Sequence, residues 1–256
     1  MSTVRLERAG AVAHVILDRP AQLNAISPEL LRDLDHACAA VEGDQGIRAV
    51  ALTGAGRAFC AGADLKVVQD AAPDPERWRA FMDPWHRVFD RIERLPLPVV
   101  AGVHGVALAG GLELTMVCDL VVMDAEARLG DQHANFALVA GGGGSQRLPR
   151  LIGARRAKEL MLLGGWLDAQ QALAWGLVNR VAPAGTVVEA ALALAGELAA
   201  KSVSASRVVK RLVDQGLDVD LRTGLALEAR LVAEHMQGED ARSGLRAFAE
   251  RKRGPS

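Results

Sequence analysis

Cysteine is scarce in this 256-residue chain, and what there is does not pair up. Cys38, Cys60 and Cys118 are odd in number and far apart. That excludes a disulfide framework or a CxxC metal pair and fits a reducing cytoplasm. Neither sign of charge is in excess: 30 basic against 31 acidic residues leave a formal net charge of -1. A duplex nucleic-acid binder, with its basic surplus, is therefore not expected, although a local basic patch for phosphates is allowed. No apolar run reaches the roughly 18 residues of a membrane helix. The opening M-S-T-V-R-L-E-R lacks the apolar core of a signal peptide. A cytoplasmic protein with no membrane and no nucleic-acid partner is the expectation.

Several catalytic motifs are missing as well. Gly54-Ala-Gly56 opens like a dinucleotide fingerprint but has Phe59 where the third glycine belongs. There is no GxxxxGK[ST] phosphate loop and no HExxH, and the histidines and cysteines are not clustered for zinc. Gly143-Gly-Ser-Gln-Arg resembles a nucleophile elbow, but Arg147 occupies the place of its second glycine, so Ser145 reads better as a helix cap.

What the chain does have is half its residues hydrophobic, enough for one large domain or a domain with an appendage. Val4 to Glu7 and Val12 to Leu17 flank Gly10 and predict a hairpin. Ser27-Pro28 reads as an N-cap and first helical residue, with apolar helical spacing through Val41 and a stop at Gly43. Arg48 to Thr53 predicts a buried strand running into a glycine loop. A helix is expected from Glu76 to Arg94, with Trp78, Phe81, Trp85, Val88, Phe89 and Ile92 on one face. Short strands are expected at Leu120 to Met123 and Leu177 to Val181, and Asp168 with Gln171 suits a capping box between them. From about Val187 the pattern is helical throughout. Strand–strand–helix units recurring at roughly 50-residue intervals indicate an α/β architecture. A boundary near residue 198 separates a core, 1–198, from a helical region, 199–256.

One stretch carries chemistry. Val99 to Leu120 passes through Gly102, Gly105, Gly110 and Gly111 and then enters an apolar segment bearing one carboxylate, Glu113. Read as strand, glycine turn and helix start, it offers unpaired backbone N–H donors suited to a developing oxyanion. A lone carboxylate inside an apolar helix is costly unless it has a task; the alternative is a partly exposed Glu on an amphipathic helix.

These segments resemble the enoyl-CoA hydratase/isomerase, or crotonase, family: F-C-A-G-A-D-L-K (59–66), V-A-L-A-G-G-L-E-L-T-M-V-C-D-L (106–120), G-G-G-S-Q-R-L-P-R-L-I-G (142–153) and A-W-G-L-V-N-R-V (174–181), in that order and spacing. The resemblance covers roughly residues 4 to 252. It implies a ClpP/crotonase-like spiral of ββα units with acyl-CoA bound to the core, and a C-terminal helical region that assembles homotrimers or hexamers. No cofactor or metal is implied, coenzyme A being part of the substrate. The resemblance assigns Ala63 and Gly110 as N–H donors to the thioester oxygen. Gly141 would help hold a water, and Ala21, Gln22, Leu23, Ala61, Asp64, Leu65 and Lys66 would line the coenzyme A site. Lys66 and Arg251 are phosphate candidates. Glu113 falls on the first carboxylate of the hydratase pattern; the second, expected 20 residues later, is His133. Imidazole also holds and activates water, so Glu113 and His133 form the candidate acid–base pair, with Asp131 and Asn135 as candidates to orient the ring. Ala140 stands in place of a usual proline and Ala137 of a common glycine. Hydration of a 2-enoyl-CoA is the reaction expected. Double-bond isomerisation, thioester hydrolysis or decarboxylation on the same fold remain open, as does a non-catalytic acyl-CoA binder.

Overall fold

A computed structural model describes residues 2–252, and side chains as far as residue 250. Strands β1 (Val4–Ala9) and β2 (Val12–Leu17) form the antiparallel hairpin, turning at Gly10 with φ 63°. Helix α1 (Pro28–Gly43) follows, its first turn capped by the Ser27 hydroxyl accepting the Leu30 N–H. Then come β3 (Ala49–Gly54), α2 (Leu65–Ala71), α3 (Pro75–Glu93), β4 (Val99–Val103), β5 (Val106–Leu108), α4 (Gly110–Met116), β6 (Leu120–Asp124) and β7 (Arg128–Gly130). The remainder is α5 (Gly144–Ile152), α6 (Ala154–Leu163), β8 (Trp166–Asp168), α7 (Ala169–Trp175), β9 (Arg180–Ala182), α8 (Val187–Ala199), α9 (Val203–Leu217), α10 (Leu221–Met236) and α11 (Glu239–Lys252).

The main sheet runs β1-β2-β3-β4-β6-β9, parallel from β2 onward. Its central strands are buried from end to end because both faces are covered, as parallel sheets require. Val50, Leu52, Val99 and Ala101 face α1 and α3, whereas Ala49, Ala51 and Val100 face α8. The α8 side is built from small residues so that the helix lies close: a Cβ on Gly102 would come within 2.9 Å of Ala191 Cβ. A second, short sheet, β5-β7-β8, stands beside the first, and Cys60 extends it by bridging Ala107 of β5. Each turn of the chain thus contributes one strand to the main sheet and one short extended segment to the second. That is a spiral of ββα units.

Two polar groups, one buried and one nearer the surface, pin successive turns. Asn24, fully buried with φ 56°, donates from its amide to the carbonyls of Ala55, Ala58 and Phe59 and accepts the Arg19 N–H. Asp119 accepts the Val99 N–H and binds Lys210 Nζ at 2.6 Å, which ties α9 to the start of β4.

Several expectations change. The last strand is Arg180–Ala182, not 177–181: α7 ends at Gly176 in the left-handed conformation, and Leu177 and Val178 are buried in the turn that follows. Ser145 caps nothing. The residue before α5 is Gly143, φ 110°, and Ser145 lies inside the helix. Asp168 accepts the Gln171 N–H, but no bond returns from the Gln171 side chain among the described residues, so it is half a capping box. Trp78 is partly exposed at the end of its stripe, edge-on to Phe81. The repeat is not uniform: β3 and β4 begin 50 residues apart and β6 starts soon after, because α4 has only seven residues.

Asn24→Ala leaves the buried carbonyls of Ala58 and Phe59 short of a partner. Unfolding in urea is expected to show a loss of about 2–4 kcal/mol, since each unsatisfied buried polar group costs roughly 1–3 kcal/mol.

Candidate active site

The two turns expected to supply N–H donors are laced together. Cys60 N–H donates to Val106 O and Leu108 N–H to Cys60 O. Ile26 N–H donates to Gly62 O and Asp64 N–H to Ile26 O. That bridge uses the peptide groups on either side of Ala63 and turns the Ala63 N–H away from Ile26. Gly110 opens α4, where a first-turn N–H has no partner within the helix. Among the described residues no acceptor is found for either N–H. Gly62, φ 95°, brings the turns into contact: a Cβ there would lie 3.3 Å from Gly110 N and 2.9 Å from Leu108 O. Gly111 can carry no side chain, since a Cβ would fall 2.0 Å from Cys60 O. Between them Ala109 is held at φ 50°, ψ -113°, a conformation that costs a non-glycine residue about 1–3 kcal/mol and aims the next amide.

One helical turn on, Glu113 is 3% exposed. Its Oε1 accepts the N–H groups of Gly142 and Gly144, both at 2.8 Å. Oε2 has no hydrogen-bond partner among the described residues. The glycines are needed for access: a Cβ on Gly142 would sit 2.4 Å from Glu113 Oε2 and 2.5 Å from Trp85 Nε1. Burial raises the Glu113 pKa; the two N–H donors and nearby His133 oppose this without cancelling it. Trp85 walls the cavity. Its ring edge presses on Gly110, it packs edge-on to Phe81 and tilted against Phe89, and its buried indole N–H has no partner among the described residues.

His133 opens a 3-10 turn, His133–Phe136, after β7. Its Nδ1 lies 2.9 Å from Asp131 Oδ1, and the same oxygen accepts the His133 backbone N–H at 3.2 Å. Burial pulls the imidazole pKa down, but the bond and charge of Asp131 and the charge of Glu113 outweigh it, so the net shift is upward. Glu113 and His133 therefore lie near enough for each charge to shift the other's proton affinity. Of the two candidates to orient the ring, only Asp131 does so. Asn135 turns away, donating to Gln132 Oε1 and Gly164 O.

The remaining expected residues fall into two groups. Ala21, Gln22 and Leu23 run beside Ala61, whose N–H donates to Leu23 O. Asp64 caps α2 through the Lys66 N–H and pairs with Arg19 at 2.9 Å, while Leu65 and Lys66 are exposed next to it. Gly141 is exposed beside the Glu113 cradle. The side chain of Arg251 lies outside the described residues. Ala137 adopts φ 54° although it is not glycine, and Leu138 N–H closes the turn onto His133 O. Sequence reading did not assign Gly142, Gly144 or Trp85 to the site. The run of four glycines was its only visible trace of the first two. Among the described residues no group of three His, Cys, Asp or Glu side chains is placed to hold a metal ion.

Comparison with known proteins gives one answer. The sequence profile described as enoyl-CoA hydratase/isomerase matches residues 7–255. The short-chain-enoyl-CoA hydratase of Clostridium acetobutylicum is 34% identical over 254 residues, covering 99% of this chain and 97% of its own. The crystal structure of an enoyl-CoA hydratase from Bacillus anthracis superposes with a TM-score of 0.92 at 37% identity, covering 97% and 96% of the two chains. An enoyl-CoA hydratase structure from a Polaromonas species gives 0.93 at 31%, covering 97% of each.

Gly142→Ala pushes a methyl group onto Oε2 and the indole and is expected to displace the carboxylate while leaving the fold; circular dichroism should be unchanged and acyl-CoA turnover lost. Gly111→Ala meets backbone and should instead lower the melting temperature.

Proposed function

The chain belongs to the enoyl-CoA hydratase/isomerase family, and from that premise we propose that it adds water to a 2-enoyl-CoA to give the 3-hydroxyacyl-CoA. The observation that carries this reading is a pair of groups close enough to influence each other's charge: a buried carboxylate with one oxygen held and one free, and an imidazole held by a second carboxylate. Beside it lie two amides without acceptors.

The thioester oxygen accepts the N–H groups of Ala63 and Gly110, which draws electrons from the double bond and stabilises the enolate; one such donor is typically worth about 3–4 kcal/mol. Oε2 of Glu113 takes a proton from water, held with the help of the Gly141 N–H, as its oxygen bonds to C3. The electron pair passes through C2 to the thioester oxygen. His133, its proton retained above the ordinary imidazole range, delivers that proton from Nε2 to C2. Glu113 then carries one proton more and His133 one fewer, and transfer between the coupled pair resets the site. No cofactor takes part beyond the coenzyme A of the substrate. That portion lies along Ala21, Gln22, Leu23, Ala61, Asp64 and Leu65, with Lys66 toward its phosphates.

The helical region from residue 199 assembles the chain into a homotrimer or a hexamer. Supporting this, α9 and α10 present Val209, Val213, Leu217, Leu221 and Leu225 to solvent. Among the described residues no helix is long and apolar enough to cross a membrane, and we place the enzyme in the cytoplasm.

With crotonyl-CoA, loss of the enoyl-thioester absorbance is the expected result; its persistence alongside isomerisation, thiol release or decarboxylation would move the chemistry to those reactions. Glu113→Gln should lower kcat by about 100-fold or more, the usual scale of acid–base catalysis. Since Glu113 acts ionised and His133 protonated, the pH profile should be bell-shaped. Its acid limb should lie above the usual carboxylate range and its alkaline limb above ~6.5, both pKa values being raised.

A further inference from the structure

The two-residue scheme uses Asp131 to orient the ring but leaves its buried charge without a task. Asp131 is 2% exposed, and among the described residues its only ionic partner is His133. We propose that Asp131 and His133 act as one unit, a carboxylate–imidazolium dyad standing in for a neutral carboxylic acid, with Asp131 as the positioning residue that fixes the ring and retains its proton. This rests on the reading of His133 as the acid.

Geometry supports it first. A single oxygen of Asp131 accepts the backbone N–H of His133 at 3.2 Å and lies 2.9 Å from its Nδ1, so the residue is fixed at its backbone and at the near side of its ring. An ionised carboxylate only accepts, so Nδ1 must carry a proton in either state of the ring. The exchangeable proton is then on Nε2, the nitrogen directed away from Asp131. Asn135, the other neighbour of suitable chemistry, is bonded to Gln132 and Gly164 instead.

Charge supports it second. A carboxylate this deeply buried is costly unless paired, and no lysine or arginine pairs with it among the described residues. The imidazolium is its counter-charge. Protonated, the dyad is neutral and offers one proton; deprotonated, it carries one negative charge. Those are the charge states of a carboxylic acid and its anion. An imidazole can therefore occupy position 133 without placing an uncompensated positive charge beside Glu113. The ionisable groups influencing the ring are Asp131 and Glu113.

Asp131→Asn keeps an acceptor for Nδ1–H and removes only the charge. With crotonyl-CoA, kcat should fall about 10- to 100-fold, the usual effect of losing a residue that orients a functional histidine, while KM changes less than about twofold. The alkaline limb of kcat should move to lower pH by about one unit or more, as expected when a neighbouring charge is removed. In a His133→Glu background the same change should act in the opposite sense and raise kcat, because the introduced carboxyl no longer faces a second carboxylate. Independently of activity, the ring nitrogen resonances of His133 in the unmodified protein, identified by their loss in His133→Gln, should show Nδ1 protonated at high pH.

An unmoved alkaline limb, or an effect of the same sign in both backgrounds, overturns the dyad and leaves His133 as the acid. Full activity in His133→Gln overturns that reading itself. If Asp131→Asn does not fold, the ring tautomer decides: protonation at Nε2 rather than Nδ1 at high pH overturns the dyad.

Discussion

The structure depends on keeping one carboxylate ionisable where water barely reaches. Isolated in an apolar interior, Glu113 would simply remain protonated. Two backbone N–H groups from the Gly142–Gly144 turn give Oε1 the partners it loses on burial, and the imidazole of His133 supplies opposite charge nearby. The balance remains on the side of burial, so the group keeps an elevated affinity for protons. Much of the surrounding architecture serves this placement. Helix α4 is buried along its whole length, and α5 begins where its first N–H groups can reach back to the carboxylate.

Close approach of backbone is the second constraint. Four segments distant in sequence, near residues 24, 62, 110 and 142, meet within a few ångströms, and side chains would hold them apart. Gly62 touches Gly110 and Ala109; Gly111 lies against the Cys60 carbonyl; Gly142 lies against Glu113 and Trp85. Asn24 secures the first of these turns with its amide, reaching three carbonyls that no strand satisfies. The strain stored at Ala109 has its compensation in this network: Ala109 N–H is held by Gly130 O, and its carbonyl accepts the Glu113 N–H.

Electrostatics explains how the cavity accommodates a histidine. Moving from a carboxyl to an imidazole changes the charge of the proton-donating state, and in a low-dielectric site that change is felt strongly. Asp131, within bonding distance of Nδ1, offsets it. The proton affinities of Glu113 and His133 therefore belong to the pair rather than to each residue.

Periodicity and punctuation in the sequence determined the hairpin, α1, β3, α3 and the helical end of the chain, because those segments bury one face or both and carry their own caps and breaks. It also marked Glu113, since a single charge in an apolar helix is conspicuous, and it showed that position 133 is an imidazole. Tertiary structure decided what pairing and proximity decide. β7 and β8 are three residues each and exist only through pairing, β7 on the edge of β5 and β8 on the edge of β7. Asp131 and Asn135 lie equally near His133 in sequence, yet only one reaches the ring, because Gly164, 29 residues beyond Asn135, draws the other away. The four glycines read as a loop until the fold brought two of their amides to a carboxylate encoded 29 and 31 positions earlier. Local pattern fixes which residues turn inward; only the folded chain fixes which of them meet.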